Sequence, residues 1–106
     1  MTWKVVFLPE VEKDLRKLDG SQRNLVFKAI KKVQTNPLPV SEGGYGKPLG
    51  ARNESNLTGL LKIKLSAAGL RVVYKLIRTE TEMLIVVIGA RADSEVYEIA
   101  QRRIEQ

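Results

Sequence analysis

LLKIKL-SAAG-LRVVYKLIR-TETE-MLIVVI, residues 60–88, decides the fold. Three runs rich in β-branched and apolar residues are separated by short polar or glycine-containing links, the pattern of an antiparallel meander. Leu60 to Leu65 alternates, with Leu61, Ile63 and Leu65 on one face and Lys62 and Lys64 on the other. Leu70 to Arg78 is the next strand and Met83 to Ile88 the third. If Ser66–Gly69 is a four-residue hairpin loop, Leu65 pairs with Leu70 and Lys64 lies directly opposite Arg71. Lys62 shares that face, so three cations converge on one sheet surface.

Upstream, Thr2 to Leu8 reads as a first strand, and Pro9 fits the first position of a helix with Glu10, Glu12 and Asp14 in its first turn. Val11, Leu15 and Leu18 give that helix one apolar face, and Asp19-Gly20 ends it. Ser21 is the expected cap of a second helix whose stripe is Leu25, Val26, Ala29, Ile30 and Val33, stopped by Asn36-Pro37. The short turn makes the two an antiparallel helical hairpin. Residues 37–56 read as a long loop rich in proline and glycine. Downstream of Gly89-Ala90-Arg91, Asp93 or Ser94 caps a last helix running to about Arg103. The expected order is β-α-α-β-β-β-α. That is an α+β fold with a small, mostly antiparallel sheet packed on an N-terminal helical hairpin and closed by a C-terminal helix. At 106 residues, with no repeat and no linker, the whole chain 1–106 reads as a single domain.

Composition narrows the chemistry. There is no cysteine and no histidine, which excludes disulfide frameworks, thiol nucleophiles, Ser-His-Asp hydrolases, zinc proteases and histidine-pair ribonucleases. No signal-peptide core or membrane-length apolar run is present, so a cytoplasmic protein is expected. The formal charge is +6, and it is uneven: residues 43–79 hold seven basic side chains and one acid, whereas residues 80–106 are net acidic. Such clustering points to a polyanionic partner, most often nucleic acid.

Like charges facing each other, as Lys64 and Arg71 would, cost some tenths of a kcal/mol unless an anion sits between them. A solvated outer sheet face is the plain structural alternative, and lysine also guards edge strands against aggregation. Arg91, just past the third strand, could be an exposed loop arginine. Tyr97, beside the Ala100 and Ile104 stripe, could be a packed core residue.

Taken together, Lys62-Ile-Lys64, Ala68-Gly-Leu-Arg71-Val-Val-Tyr74, Ile88-Gly-Ala-Arg91 and Ser94-Glu-Val-Tyr97 resemble, in order and spacing, the RelE-type toxins of bacterial type II toxin–antitoxin systems. The helical hairpin and Lys47-Pro-Leu49 fit the same family more loosely. Departures from it are Asp93, where a further basic residue is frequent, a longer glycine-rich stretch at 43–59, and leucines before Lys62 in place of an aromatic.

The resemblance implies an endoribonuclease toxin that needs the ribosome, cuts mRNA in the A site without a metal or other cofactor, and is neutralised by an antitoxin. It places catalysis on Lys62, Lys64, Arg71, Arg91 and Tyr97. Tyr97 is expected as the base, since nearby cations favour a phenolate, or as a stacking platform for a nucleobase, with Lys64 the rival base, and Arg91 serves the leaving oxygen. Lys28, Lys31, Lys32 and Lys47 are expected contacts to the RNA backbone, with Lys13, Arg16 and Lys17 as further basic positions on the hairpin. Two rivals remain at this level: a ParE-like gyrase inhibitor, which shares the fold without the ribonuclease set, and a non-catalytic nucleic-acid-binding domain.

Overall fold

The computed structural model describes residues 2–48, 60–90 and 93–105, with side chains at all of these except 93, 94, 97 and 105. β1 (Lys4–Phe7) leads into α1 (Val11–Arg16) and α2 (Gly20–Val33). β2 (Lys47–Pro48), β3 (Leu60–Leu65), β4 (Leu70–Ile77) and β5 (Glu82–Gly89) follow, and α3 (Asp93–Glu105) comes last. The five strands form one sheet in the order β1-β5-β4-β3-β2. All pairings are antiparallel except β1 with β5, which is parallel.

The sheet is covered on both faces, and this is why β4 and β5 are apolar almost throughout. On one side Val11, Leu18, Val26, Ile30 and Val33 of the hairpin meet Leu61, Ile63, Val72, Tyr74 and Ile85. On the other, Val96 and Ala100 of α3 meet Leu60, Val73, Val86 and Val87. Each fully buried aliphatic side chain contributes about 1.5–3 kcal/mol by leaving water.

The meander matches the sequence reading, including Leu65 opposite Leu70 and Lys64 opposite Arg71. Several local expectations are corrected. β1 is shorter than 2–8, and α1 starts at Val11 rather than Pro9 and has only six residues. Asp19, read as the end of α1, instead caps α2. Its carboxylate accepts from the Gln22 N–H at 2.8 Å while the Gln22 side chain accepts from the Asp19 N–H at 3.0 Å, a reciprocal box that outcompetes Ser21. Leu25 is 44% exposed, because the buried stripe of α2 narrows to Val26, Ile30 and Val33 and Leu25 lies about 100° round the helix from Val26. α3 begins at Asp93 itself. The missed strand β2 adds a fifth member to the sheet, and it is too short to show alternation.

The connection between β4 and β5 turns at Arg78–Glu80 and closes through Thr81 in the left-handed region, φ 52°. A register shift between Val73 and Tyr74 leaves Val86 as an extra residue in β5, which puts Val86 and Val87 in the same core. Beyond the end of β1, the edge of β5 is completed by side chains. Asp14 of α1 accepts the Ile88 N–H at 3.0 Å, and Arg103 of α3 donates to the Val86 carbonyl at 2.8 Å. The same two side chains pair bidentately, at 2.8 and 3.0 Å. Nothing in the sequence singled out either. Asp14 reads as a first-turn acid and Arg103 as a last-turn base, and their meeting needs the tertiary fold.

Candidate active site

The face of the sheet that carries α3 also carries the candidate cations. Leu60, Lys62 and Lys64 alternate onto it from β3, and Arg71 and Val73 from β4. Leu60 and Val73 are covered by α3, whereas Lys64 is exposed and Lys62 and Arg71 are half-buried. Among the described residues, the lysines and the arginine therefore stand beside the part of the face that α3 covers. Three of the five expected catalytic residues are thus brought together as the alternation predicts.

The structure adds a fourth cation to that row. β2 pairs with β3 so that Lys47 is directly opposite Lys62, which extends the like-charged surface to the sheet edge. On the other flank Arg71 faces Gly89. Among the described residues, a β-carbon built on Gly89 would meet nothing within 4 Å.

Arg91 lies outside the described residues. Tyr97 belongs to α3, directly after Val96, whose side chain is fully buried against the sheet; the Tyr97 side chain is outside the described set. Lys28, Lys31 and Lys32 are exposed on α2, as are Lys13, Arg16 and Lys17 nearer the start of the hairpin. Arg16 is engaged with Glu12 one turn back. The reading of Lys28 and Lys31 as RNA contacts has no geometric support beyond exposure. Lys32 and Lys47 differ, for they share a groove with Lys62 and Lys64.

A buried tyrosine positions the loop that leads into β2. The Tyr74 hydroxyl donates to the Pro37 carbonyl at 2.6 Å, and burial pushes its pKa well above the usual phenol value. Gly46 passes so close that a β-carbon there would sit 2.2 Å from the Tyr74 oxygen. Tyr74 thus sets where Lys47 begins. Arg78 holds the same loop from outside through a two-pronged pair with Glu42, at 2.8 and 3.1 Å. Among the described residues no helix is long and apolar enough to cross a membrane.

No family model matches the chain. Individual relatives do. A RelE-like toxin protein of Escherichia coli is 31% identical over 98% of this chain and 99% of its own length. The mRNA interferase toxin RelE of Escherichia coli K12 is 30% identical over 87% of this chain and 86% of its own. Among solved structures, an arginine double mutant of the Escherichia coli toxin RelE in the free state superposes with a TM-score of 0.73, at 27% identity, covering 98% of this chain and 99% of that one. The same mutant bound to a peptide of its antitoxin superposes at 0.69, at 26% identity, covering 94% and 95%.

Proposed function

Because the chain belongs to the RelE toxin family, we propose that it is an mRNA endoribonuclease that acts on message held in the ribosomal A site and is silenced by a cognate antitoxin. The observation that carries this reading is the cluster of Lys62, Lys64 and Arg71 on the α3 face of the sheet, with Lys64 directly opposite Arg71. Like charges set across a ladder cost some tenths of a kcal/mol, a cost that a bound anion offsets.

The reaction follows from what such a face supplies. The 2′-oxygen of the substrate attacks the adjacent phosphorus in line as it loses its proton to a base. The bond to the 5′-oxygen breaks, and that oxygen takes up a proton. The products are a 2′,3′-cyclic phosphate and a free 5′-hydroxyl, and no metal is required. Arg71 offers a planar fork to the two non-bridging phosphoryl oxygens, and Lys62 and Lys64 add point charges to the same face. Tyr97 or Lys64 takes the 2′-proton, and Arg91 neutralises the departing oxygen.

Cations aimed at developing charge are worth several kcal/mol each, about 3 for a typical group. Holding the message in line accounts for a further contribution of about 7–11 kcal/mol. Most of that orientation comes from the ribosome, which explains how a small basic face can be selective for translated RNA. A basic toxin of this size is expected to pair with an acidic antitoxin segment, as its relative pairs with an antitoxin peptide.

The test is a defined translation reaction with 5′ ends of the message mapped by primer extension, beside a ribosome-free control. Cuts inside the A-site codon that need ribosomes, and that fall about 100- to 1,000-fold in rate with Arg71→Ala, are the expected result. Intact message, with gyrase-dependent DNA breaks that survive Arg71→Ala, would overturn it in favour of the ParE-like reading.

A further inference from the structure

The loop between α2 and β2 presents an aromatic side chain in a way its own packing does not require. Tyr45 is 47% exposed, yet its backbone is tightly held. Its N–H donates to the Asn36 carbonyl at 3.0 Å, and the Gly46 N–H donates to the Leu38 carbonyl at 3.0 Å. The Gly44 N–H reaches the Pro39 carbonyl at 3.0 Å, and the Val40 N–H reaches the Gly46 carbonyl at 2.8 Å. Glycine is needed on both sides of the tyrosine, since a β-carbon at Gly44 would fall 2.1 Å from the Leu38 oxygen and one at Gly46 would strike Tyr74. The result is a large ring fixed on a rigid platform and left half in water.

What surrounds that ring is cationic. The Lys32 ammonium sits 5.1 Å from the ring centroid. A groove of about 220 Å³ runs from Lys32, Val33 and Tyr45 past Lys47 to Lys62 and Lys64. Ala29, Lys32 and Val33 come from the hairpin side of the sheet, whereas Lys47, Lys62 and Lys64 belong to the α3 face. The groove therefore bends round the β3 edge and joins the two sides.

We propose that this groove is a second nucleotide subsite: Tyr45 stacks on a base flanking the cleaved bond, while Lys32 and Lys47 hold the phosphates that lead to Lys62 and Lys64. The proposal rests on the ribonuclease reading above, and it adds a base-contacting residue that lies outside the catalytic set. An exposed aromatic beside lysines is the combination that binds single strands without reading sequence, with stacking for the base and ammonium groups for the backbone. Lys32 covers the ring through a cation–π contact. A base arriving there takes its place and frees the ammonium for the adjoining phosphate.

An acidic peptide adding itself as a strand fits less well. Among the described residues β2 already covers the β3 edge at Leu61 and Lys62, which leaves the short run Ile63 to Leu65 for a ladder.

The test measures binding rather than cleavage. Fluorescence anisotropy is followed for a short single-stranded RNA with every 2′-oxygen methylated, which cannot be cut, titrated with the full chain. Tyr45→Ala should weaken binding about 10-fold with little change in salt dependence, because stacking carries no counterion. Tyr45→Trp should bind at least as tightly as the parent. Lys47→Ala should weaken binding and also flatten the salt dependence.

Melting curves of each variant verify that the loop is intact. Equal affinity of Tyr45→Ala and parent would overturn the proposal. So would weaker binding by a folded Tyr45→Trp, or a Tyr45→Ala defect confined to a glutamate-rich competitor peptide. Tyr45-dependent RNA binding together with intact message in the translation reaction would sustain the subsite and bring down the nuclease reading alone.

Discussion

At the scale of single residues, Tyr74 is the side chain on which loop placement turns. Its phenol is held neutral by burial, so its folded pKa lies above the value of about 10 found in an unfolded chain. The corresponding stability is fully present below pH 10 and is lost as the pH rises beyond it, since only the unfolded chain then releases the proton readily. Tyr74→Phe removes one buried hydrogen bond, at about 1 kcal/mol near neutral pH, and should flatten the alkaline fall. Urea melts of both proteins from pH 8 to 11 would check this; parallel curves would mean that Tyr74 does not control the alkaline limb. Asp19 behaves in the opposite sense. The Gln22 N–H it accepts lowers its pKa, so its capping contribution is present above the ordinary carboxylate value and fades in acid.

Among elements, α3 depends on a contact it makes with the far end of the chain. Arg103 and Asp14 are largely buried, with side-chain exposures of 16% and 11%, and between them satisfy two backbone groups of β5. Arg103→Leu strands the Asp14 carboxylate and should cost about 3 kcal/mol. A fall in the thermal midpoint checks the cost, and faster hydrogen exchange in α3 than in α2 would locate it.

This pair also marks where sequence reading stops. The alternation of Lys62 and Lys64 and the four-residue loop at Ser66–Gly69 carry enough local information to place Arg71 opposite Lys64, because period and loop length together determine register. Asp14 and Arg103 carry none, being ordinary charges on helix ends until the bulge at Val86 and the end of β1 create a need for them. β2 escaped for a related reason: two residues have no period, and Lys47 meets Lys62 through a loop that Tyr74 and the Arg78–Glu42 pair hold in place. Tyr45 was hidden because an aromatic inside a glycine-rich loop has no pattern of its own.

Across the whole molecule, charge is arranged along a path. Lys32 of α2 lines the groove on one side, Lys47, Lys62 and Lys64 line it on the other, and Arg71 stands directly opposite Lys64. Affinity for single-stranded RNA should fall steeply with salt, by about 0.7 in log–log slope for each phosphate engaged. Lys32→Ala should reduce that slope, whereas Lys13→Ala, remote from the groove lining, should not. A series of anisotropy titrations at rising potassium chloride distinguishes a directed path from a diffuse basic surface, which would respond equally to both.

The parallel pairing of β1 with β5 has a consequence for how the chain comes into being. Lys4 waits for Glu82, and until β5 exists the sheet order β1-β5-β4-β3-β2 has a gap between its first strand and the rest. A nascent or prematurely ended chain that stops before Glu82 holds Lys62, Lys64 and Arg71 on little more than a hairpin, and such hairpins are marginal in water. Fragments released by an interrupted round of synthesis would have the cations but no platform to aim them. Assembly of this face therefore depends on residues that are synthesised after every one of its cations.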